Sequence, residues 1–235
     1  MFFKKKAKIT FIFGSARGGT TWLWSLLESH TLVKPFTDNV LPNKKGLYKT
    51  SESGIYIKDK KNAKSKIKKF TQENKEFLII EKTPSHTFFW KDIVKDFPNS
   101  KNIIILRHPI AIVNSMQKSK MTFLEGHTLE KSLSLVVKYY KHLMEIVGLN
   151  RYHIVLYENL LLQTDVELAK LFEYLDLDKA DIKEIINNNT GISKVDVAGV
   201  FRKGLHDSYL REIDKDNLEY LKERLNREIN FFKSF

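Results

Sequence analysis

The chain contains no cysteine, and this absence excludes two kinds of protein. Without cysteine there is neither a disulfide framework nor a thiolate metal site, so the fold depends on packing for its stability. The absence fits a reducing compartment, and we expect a cytoplasmic location. The seven histidines are scattered without the spacing of metal ligands, so we also expect no metal site.

Long hydrophobic runs are missing as well. No stretch approaches the ~18 apolar residues that a membrane-spanning helix needs. The apolar segment behind the N-terminal lysines is short and ends in a glycine loop, not at a small-residue cleavage site. We therefore predict neither a transmembrane segment nor a signal peptide. We also find no linker rich in proline, glycine or serine, so residues 1–235 are expected to form a single domain.

Positive charge is what the sequence has in excess. Forty Lys and Arg against 28 Asp and Glu give a formal net charge of +12, which favours an anionic ligand, a nucleic acid or an acidic membrane surface. Ten lysines lie between 44 and 69. Residues 34–72 and 187–210 show no regular pattern, so we expect both to be irregular. The lysine-rich insertion at 34–72 is either solvated or a rim that attracts an acidic acceptor.

Short apolar runs alternate with helical patterns along the chain. The apolar runs predict strands at 7–13, 77–80, 103–106 and 152–157. Helical periodicity begins near Thr20 and returns at 86–97, 109–119, 130–147, 165–176 and 216–233. This alternation predicts an α/β fold, with a doubly wound and mainly parallel sheet flanked by helices.

A glycine-containing loop joins the first predicted strand to the first helix. Gly14 to Thr21 follows the pattern G-x-x-x-x-G-x-[ST], in the strand–loop–helix context of a nucleotide phosphate loop. Backbone N–H groups and the helix N-terminus would surround an anion there. A kinase has lysine after the second glycine, whereas this chain has Thr20. Arg17 supplies a cation two residues before the second glycine, and its forked guanidinium suits a phosphate or sulfuryl group.

The segment from Ser15 to Trp22 resembles the 5'-phosphosulfate loop of sulfotransferases that use PAPS (3'-phosphoadenosine 5'-phosphosulfate). That loop is commonly written P-[KR]-[SG]-G-T-T, and here Ala16 replaces the proline. A second segment resembles the family's 3'-phosphate element, in which a strand ends in arginine and a serine follows eight residues later. Arg107 and Ser115 have this spacing.

Two further fragments carry the resemblance. Leu-Tyr-Glu-Asn-Leu around Tyr157 resembles the family's Y-E-[DN]-L, where the tyrosine lies near the nucleotide. Residues 201–204 resemble the R-K-G loop that closes over the 3'-phosphate, with Phe201 as a ring for adenine. The donor-binding residues that the resemblance implies are Arg17, Gly18, Gly19, Thr20, Thr21, Trp22, Arg107, Ser115, Tyr157, Phe201, Arg202, Lys203 and Gly204.

The resemblance implies a P-loop NTPase-like sulfotransferase fold and a defined reaction. PAPS would donate its sulfuryl group, without a metal, to a hydroxyl acceptor, for which we expect a carbohydrate or another large or acidic compound. The product would be adenosine 3',5'-bisphosphate (PAP). A tyrosine, a lipid or a small alcohol stays open as the acceptor.

Sulfuryl transfer needs cations at the leaving phosphate and a base for the acceptor's proton. Arg17 is the first candidate cation, and Lys82 is the second because Glu-Lys-Thr-Pro resembles the family's E-K-[TS]-P. Counting along the tyrosyl-protein sulfotransferase pattern places a catalytic carboxylate at Asp38. His86 competes for the role of base, because an imidazole titrates near neutral pH. Another residue stays open as the base.

Two other functions compete with this interpretation. The first is a P-loop small-molecule kinase, which the absence of lysine at position 20 disfavours. The second is a basic nucleic-acid-binding protein, although no helix-turn-helix, zinc-finger or aromatic RNA-binding pattern supports it. We therefore expect no nucleic-acid partner.

Overall fold

The computed structural model describes residues 9–36, 52–119, 121–148, 152–179, 181–189 and 207–235. The strands are β1 (Ile9–Phe13), β2 (Val33–Pro35), β3 (Leu78–Lys82), β4 (Lys101–Leu106) and β5 (Tyr152–Leu156). The helices are α1 (Thr20–Glu28), α2 (Ile55–Lys58), α3 (Lys60–Glu73), α4 (Trp90–Asp96), α5 (Pro109–Gln117), α6 (Leu129–Val147), α7 (Tyr157–Leu162), α8 (Thr164–Leu175), α9 (Ile182–Asn189), α10 (Tyr209–Glu212), α11 (Lys215–Arg224) and α12 (Asn226–Phe232). Short 3-10 helices cover Pro84–Phe89 and Thr122–Leu124.

The strands form one five-stranded sheet in the order β2-β3-β1-β4-β5. Every neighbouring pair in it is parallel. β1 is the central strand, with β3 and then β2 on one side of it and β4 and then β5 on the other. Because all neighbouring strands are parallel, their carboxyl ends lie at one edge. This topology confirms the predicted α/β fold with a doubly wound parallel sheet.

The sheet is covered on both faces because its strands alternate between two apolar clusters. Phe11 and Phe13 of β1 belong to one cluster, whereas Ile12 belongs to the other. In β4, Ile104 and Ile105 divide in the same way. Strands buried on both faces read as continuous apolar runs, which is why they were recognisable in the sequence.

The segment expected to be irregular at 34–72 contains regular structure, so that prediction was wrong for its second half. Helices α2 and α3 occupy most of 55–73, and β2 begins just before the segment. The expectation for 187–210 was also wrong at its edges, where α9 ends at Asn189 and α10 begins at Tyr209.

The C-terminal helix predicted at 216–233 is divided in two. Helix α11 ends at Arg224 and α12 begins at Asn226, and Leu225 between them has φ −106° and ψ 15°. The apolar stripe survives the break, since Leu221 and Leu225 are fully buried against the first cluster. Among the described residues, no helix is both long enough and apolar enough to cross a bilayer.

Candidate active site

Three strand ends bring the predicted donor-site residues to one edge of the sheet. The phosphate loop follows β1, Lys82 is the last residue of β3, and Arg107 follows β4. Because β3 and β4 are the two neighbours of β1, both cations flank the loop. This is the point at which the strand order reverses, where ligands bind in open α/β sheets.

The conformation of the loop backbone requires the adjacent glycines Gly18 and Gly19. Gly19 has φ +94° and precedes α1, and a side chain there would collide with the ring of Tyr157. At Gly18, a Cβ would lie 2.9 Å from the Ser15 carbonyl oxygen. Arg17 itself has φ 65°, an uncommon conformation outside glycine. The chain therefore turns tightly at these residues, immediately before the start of α1.

The two predicted phosphate elements are in direct contact. The Arg17 Nε donates to Ser115 Oγ at 3.1 Å, and the Arg107 guanidinium donates to the Arg17 carbonyl at 2.9 Å. Residues 98 and 90 positions apart in the sequence are thereby joined. The structure thus unites the loop after β1 with the strand end and helix α5 that the sequence predicted as its partner.

Tyr157 packs against the residues that join the two phosphate elements. Its ring packs under the Arg107 guanidinium, with 4.4 Å between the ring centroid and the guanidinium carbon. The Trp22 ring meets it edge-on at a centroid distance of 5.8 Å. As the first residue of α7, Tyr157 therefore fixes Arg107, Trp22 and Gly19 relative to one another.

Two buried polar atoms in the site lack a protein partner. Across the described part of the chain, Ser15 Oγ and Arg107 Nε are among the few buried side-chain atoms without a hydrogen bond. A buried polar atom without a hydrogen-bond partner lowers the stability of the fold unless a ligand or water provides the missing bond. A hydroxyl and a guanidinium N–H beside a glycine loop are the groups that bind phosphate oxygens, so the residues fit an anionic nucleotide.

Lys82 presents a buried ammonium group to the loop. Its side chain is fully buried, and Nζ donates to Thr21 Oγ1 at 3.1 Å. The same nitrogen lies 3.2 Å from Glu52 Oε1. Burial lowers the pKa of Lys82, while the negative charge of Glu52 opposes this shift.

Behind Lys82 lies a closed polar network that includes His86. The Nδ1 of His86 pairs with Glu81 Oε2 at 2.8 Å, and the Tyr56 N–H donates to Nε2 at 3.2 Å. The hydroxyls of Ser53 and Thr83 both donate to Glu81 Oε1 at 2.7 Å. Burial alone would raise the pKa of Glu81, but His86 and these hydroxyls hold it below its usual value.

This network argues against His86 as the catalytic base. Its side chain is 1% exposed, and both ring nitrogens are engaged. Because Nε2 accepts from a backbone N–H, the ring proton lies on Nδ1 and points at Glu81. Neither nitrogen is open to an acceptor hydroxyl in this arrangement.

Several predicted residues lie outside the described ranges. These are the candidate base and the loop expected to close over the 3'-phosphate, namely Asp38, Phe201, Arg202, Lys203 and Gly204. Conversely, the structure adds residues that no motif indicated. Tyr139 of α6 makes a hydrogen bond with the backbone of Ala16, and Met121 Sδ lies 3.8 Å from the Arg17 guanidinium. The third residue that no motif indicated is Glu52, one of the two acidic residues between 44 and 69.

A sulfotransferase family model matches residues 49–181, which is more than half of the chain. The chain therefore belongs to the sulfotransferase family. This confirms the family expected from the loop at 14–22, and it decides against the kinase and the nucleic-acid-binding protein. No sequence among the curated proteins matches the chain.

Solved sulfotransferase structures share the fold. The sulfotransferase domain from the curacin biosynthetic pathway is similar with a TM-score of 0.64 and 18% identity, over 94% of this chain and 98% of that one. The domain from the Synechococcus PCC 7002 olefin synthase gives 0.62 and 20%, over 96% and 98%. Mouse sulfotransferase SULT7A1, crystallised with PAP, gives 0.65 and 15%, over 100% and 90%. These likenesses confirm the P-loop NTPase-like sulfotransferase fold.

Proposed function

We propose that the chain transfers the sulfuryl group of PAPS to a hydroxyl acceptor. The observation that carries the proposal is the pair of unpartnered buried donors, Ser15 Oγ within the glycine loop and Arg107 Nε just past the end of the neighbouring strand β4. Their positions suit a ligand that is anionic at both ends, as PAPS is. A sulfotransferase of the same fold was crystallised with PAP, which supports this choice of nucleotide.

In this proposal the donor site has two ends. The loop amides with Thr20 and Thr21 hold the 5'-phosphosulfate, helped by the N-terminus of α1. Arg107 and Ser115 hold the 3'-phosphate, and Trp22 and Tyr157 form the aromatic wall of the nucleotide site. Residues 201–204 would complete the 3' end, as the family resemblance implies.

Arg17 and Lys82 are the proposed catalytic cations. During transfer the bond between sulfur and the acceptor oxygen forms while the bond between sulfur and the phosphate oxygen breaks. Negative charge therefore grows on the departing phosphate, and buried cations stabilise such charge more strongly than solvated ones do. Lys82 meets this condition, because its fully buried ammonium already contacts Thr21 at the start of α1.

A carbohydrate is the acceptor that we propose. An open cavity of about 440 Å³ lies along the first half of α6 and the turn before it. It is lined by His127, Glu130, Lys131, Ser134, Leu135 and Lys138, so a mostly apolar surface, which suits the face of a sugar ring, carries a few charged and hydroxyl groups that suit its hydroxyls. Tyr139, the next residue along α6, contacts Ala16 of the loop.

The lysine-rich segment gives less support to an acidic acceptor than its charge suggests. Four lysines of α3 pair with carboxylates at 2.8 to 4.0 Å, among them Lys60 with Asp92 and Lys64 with Asp96. Their charges are therefore partly balanced within the protein. Two expectations from the sequence stay predictions. They are that residues 1–235 form a single domain and that the protein is cytoplasmic.

The proposal is tested by incubating the protein with ³⁵S-labelled PAPS and an acceptor panel. The panel contains oligosaccharides, a tyrosyl peptide, a lipid alcohol and small alcohols. We expect metal-independent transfer, highest with an oligosaccharide, and a rise in melting temperature with PAP but not with ATP and Mg²⁺. The absence of both sulfate transfer and stabilisation by PAP would contradict the proposed function. Transfer only to an acceptor that is not a carbohydrate would contradict the proposed acceptor and leave the function standing.

A further inference from the structure

A half-exposed carboxylate lies beside the buried ammonium of Lys82. Glu52 Oε1 is 3.2 Å from Lys82 Nζ, and that Nζ donates to Thr21 Oγ1 at 3.1 Å. The Lys82 side chain is 0% exposed, whereas that of Glu52 is 44% exposed. One ammonium group thus separates Glu52 from the phosphate loop, and Glu52 lies on the side that an incoming molecule can reach.

The backbone after Glu52 is fixed to the end of β3. The Gly54 N–H donates to Thr83 Oγ1 at 3.0 Å, and Ser53 Oγ donates to Glu81 at 2.7 Å. Both bonds are buried. Glu52 therefore enters the site from a segment tied to the same strand end that carries Lys82, and this fixes the distance between the two side chains.

Glu52 also faces the other wall of the site. Burial raises the pKa of the Tyr139 hydroxyl, and the nearby charge of Glu52 raises it further. Tyr139 in turn makes a hydrogen bond with the backbone of Ala16 in the loop. The carboxylate therefore lies beside the end of β3 and close enough to helix α6, which lines the cavity proposed for the acceptor, for its charge to act on Tyr139.

The neighbouring ionisable groups are closed off. Glu81 is 1% exposed and holds the ring of His86 and two hydroxyls. His86 has both nitrogens engaged. Glu52 therefore combines contact with the catalytic lysine and access from outside, which the other two groups lack.

We propose that Glu52 is the general base of the sulfuryl transfer. The assignment rests on the function proposed above and names the residue that receives the acceptor's proton. The acceptor O–H bond breaks and its proton passes to the Glu52 carboxylate, as the oxygen forms its bond to sulfur. The electron pair of the broken sulfur–oxygen bond stays on the departing phosphate, so no further reactant is needed. Lys82 then holds the carboxylate on one side and the loop on the other.

The test compares Glu52→Gln with Glu145→Gln as a matched control. Glu145 is also paired with a lysine, Lys91 at 3.4 Å, and is 35% exposed, but it lies on α6 away from the loop. Each variant is assayed for PAP affinity by calorimetry and for transfer from labelled PAPS. The acceptor is the best alcohol of the panel, or water if none is used, with release of PAP as the readout.

We expect Glu52→Gln to lower kcat about 100-fold or more, because a general base contributes that much. Its affinity for PAP should stay within about twofold, since the carboxylate touches no proposed nucleotide contact other than through Lys82. Glu52→Asp should recover part of the rate. Glu145→Gln should match the wild type.

A second substrate separates the base from a residue that merely positions Lys82. With PAP as acceptor, p-nitrophenyl sulfate releases p-nitrophenolate, a stable anion that needs no proton from the enzyme. Glu52→Gln should therefore keep this reverse reaction within about fivefold. Equal losses in both directions, or an unchanged forward rate, would overturn the assignment. If the wild type neither binds PAP nor transfers sulfate, the proposed function itself fails.

Discussion

Lys82 and Arg17 are both cations of the candidate site, but their surroundings differ. Lys82 is fully buried and paired with Glu52, and burial lowers its pKa. Arg17 is held at a positive φ and reaches across to Ser115 of α5. A charge that is already desolvated and positioned needs little reorganisation when the phosphate departs, so both side chains suit stabilisation of the transition state.

At the residue scale we predict that Arg17→Ala and Lys82→Ala lower kcat about 100-fold or more while changing PAP affinity far less. The reason is that the charge they stabilise grows mainly during transfer. Steady-state kinetics with labelled PAPS and calorimetry with PAP measure the two effects. Lys101→Ala, at the opposite end of β4, serves as the control and should change neither. Equal losses in affinity and kcat would show that these cations only bind the ground state.

The sequence predicted the residues of the donor site better than their individual environments. Lys82 ends a buried strand, and Arg17 and Arg107 follow two others, so their meeting at one edge could be anticipated from parallel topology. The environment of His86 could not be anticipated from the sequence, because it depends on which ring nitrogen faces the Tyr56 amide. Glu52 carries no motif either, and its role depends on a contact with a residue 30 positions away.

At the scale of elements, helix α3 shows why the segment before β3 looked irregular. Its buried positions are Ala63 and Ile67, four residues apart, and Phe70 is half-buried against the same cluster. Two or three apolar positions among many lysines leave a weak periodic signal. The helix is held by this narrow stripe and by ion pairs such as Lys64 with Asp96, which only tertiary packing creates.

The C-terminal helices reach the donor site through His108. Its ring stacks on Tyr209 at a centroid distance of 4.9 Å and meets Phe232 of α12 edge-on at 5.5 Å. Burial, together with the charges of Lys233 and Arg107, lowers the pKa of His108 to about 4. His108 thus joins the turn after β4 to α10 and α12 as a neutral ring.

We predict that this contact makes stability depend on pH. The unfolded chain binds a proton on His108 below its ordinary pKa of 6.5, but the folded protein binds it only below about 4. The contribution of the neutral ring is therefore fully present above pH 6.5. It is lost as the pH falls from 6.5 to about 4, by roughly 2 to 3 kcal/mol.

The measurement is the free energy of unfolding by denaturant at pH 7 and at pH 4.5. His108→Phe keeps an aromatic ring between Tyr209 and Phe232, so it should lose less stability on acidification than the wild type does. Titration of the carboxylates is common to both proteins and cancels in the comparison. An equal loss in the two proteins would show that His108 does not titrate as its surroundings imply.

At the scale of the whole molecule, the site is a product of topology. The central position of β1 places the ends of β3 and β4 on either side of the glycine loop, and α5 then returns Ser115 to Arg17. The alternation of strands and helices predicted the doubly wound parallel sheet, but it did not predict the strand order. The acceptor side was not predictable in the same way, because it is built from α6 and from the segment around Glu52, which contribute single side chains and no phosphate-binding pattern.

The central claim is that one site holds a nucleotide at both its 5' and its 3' ends. The most direct test is calorimetric titration of the wild type and Arg107→Ala with PAP and with adenosine 5'-monophosphate, which lacks the 3'-phosphate. We predict that the wild type binds PAP about tenfold or more tightly than the monophosphate, because charge-assisted bonds to the 3'-phosphate are lost in the latter. Arg107→Ala should remove most of this preference. Equal affinity of the wild type for the two nucleotides would contradict the two-ended site.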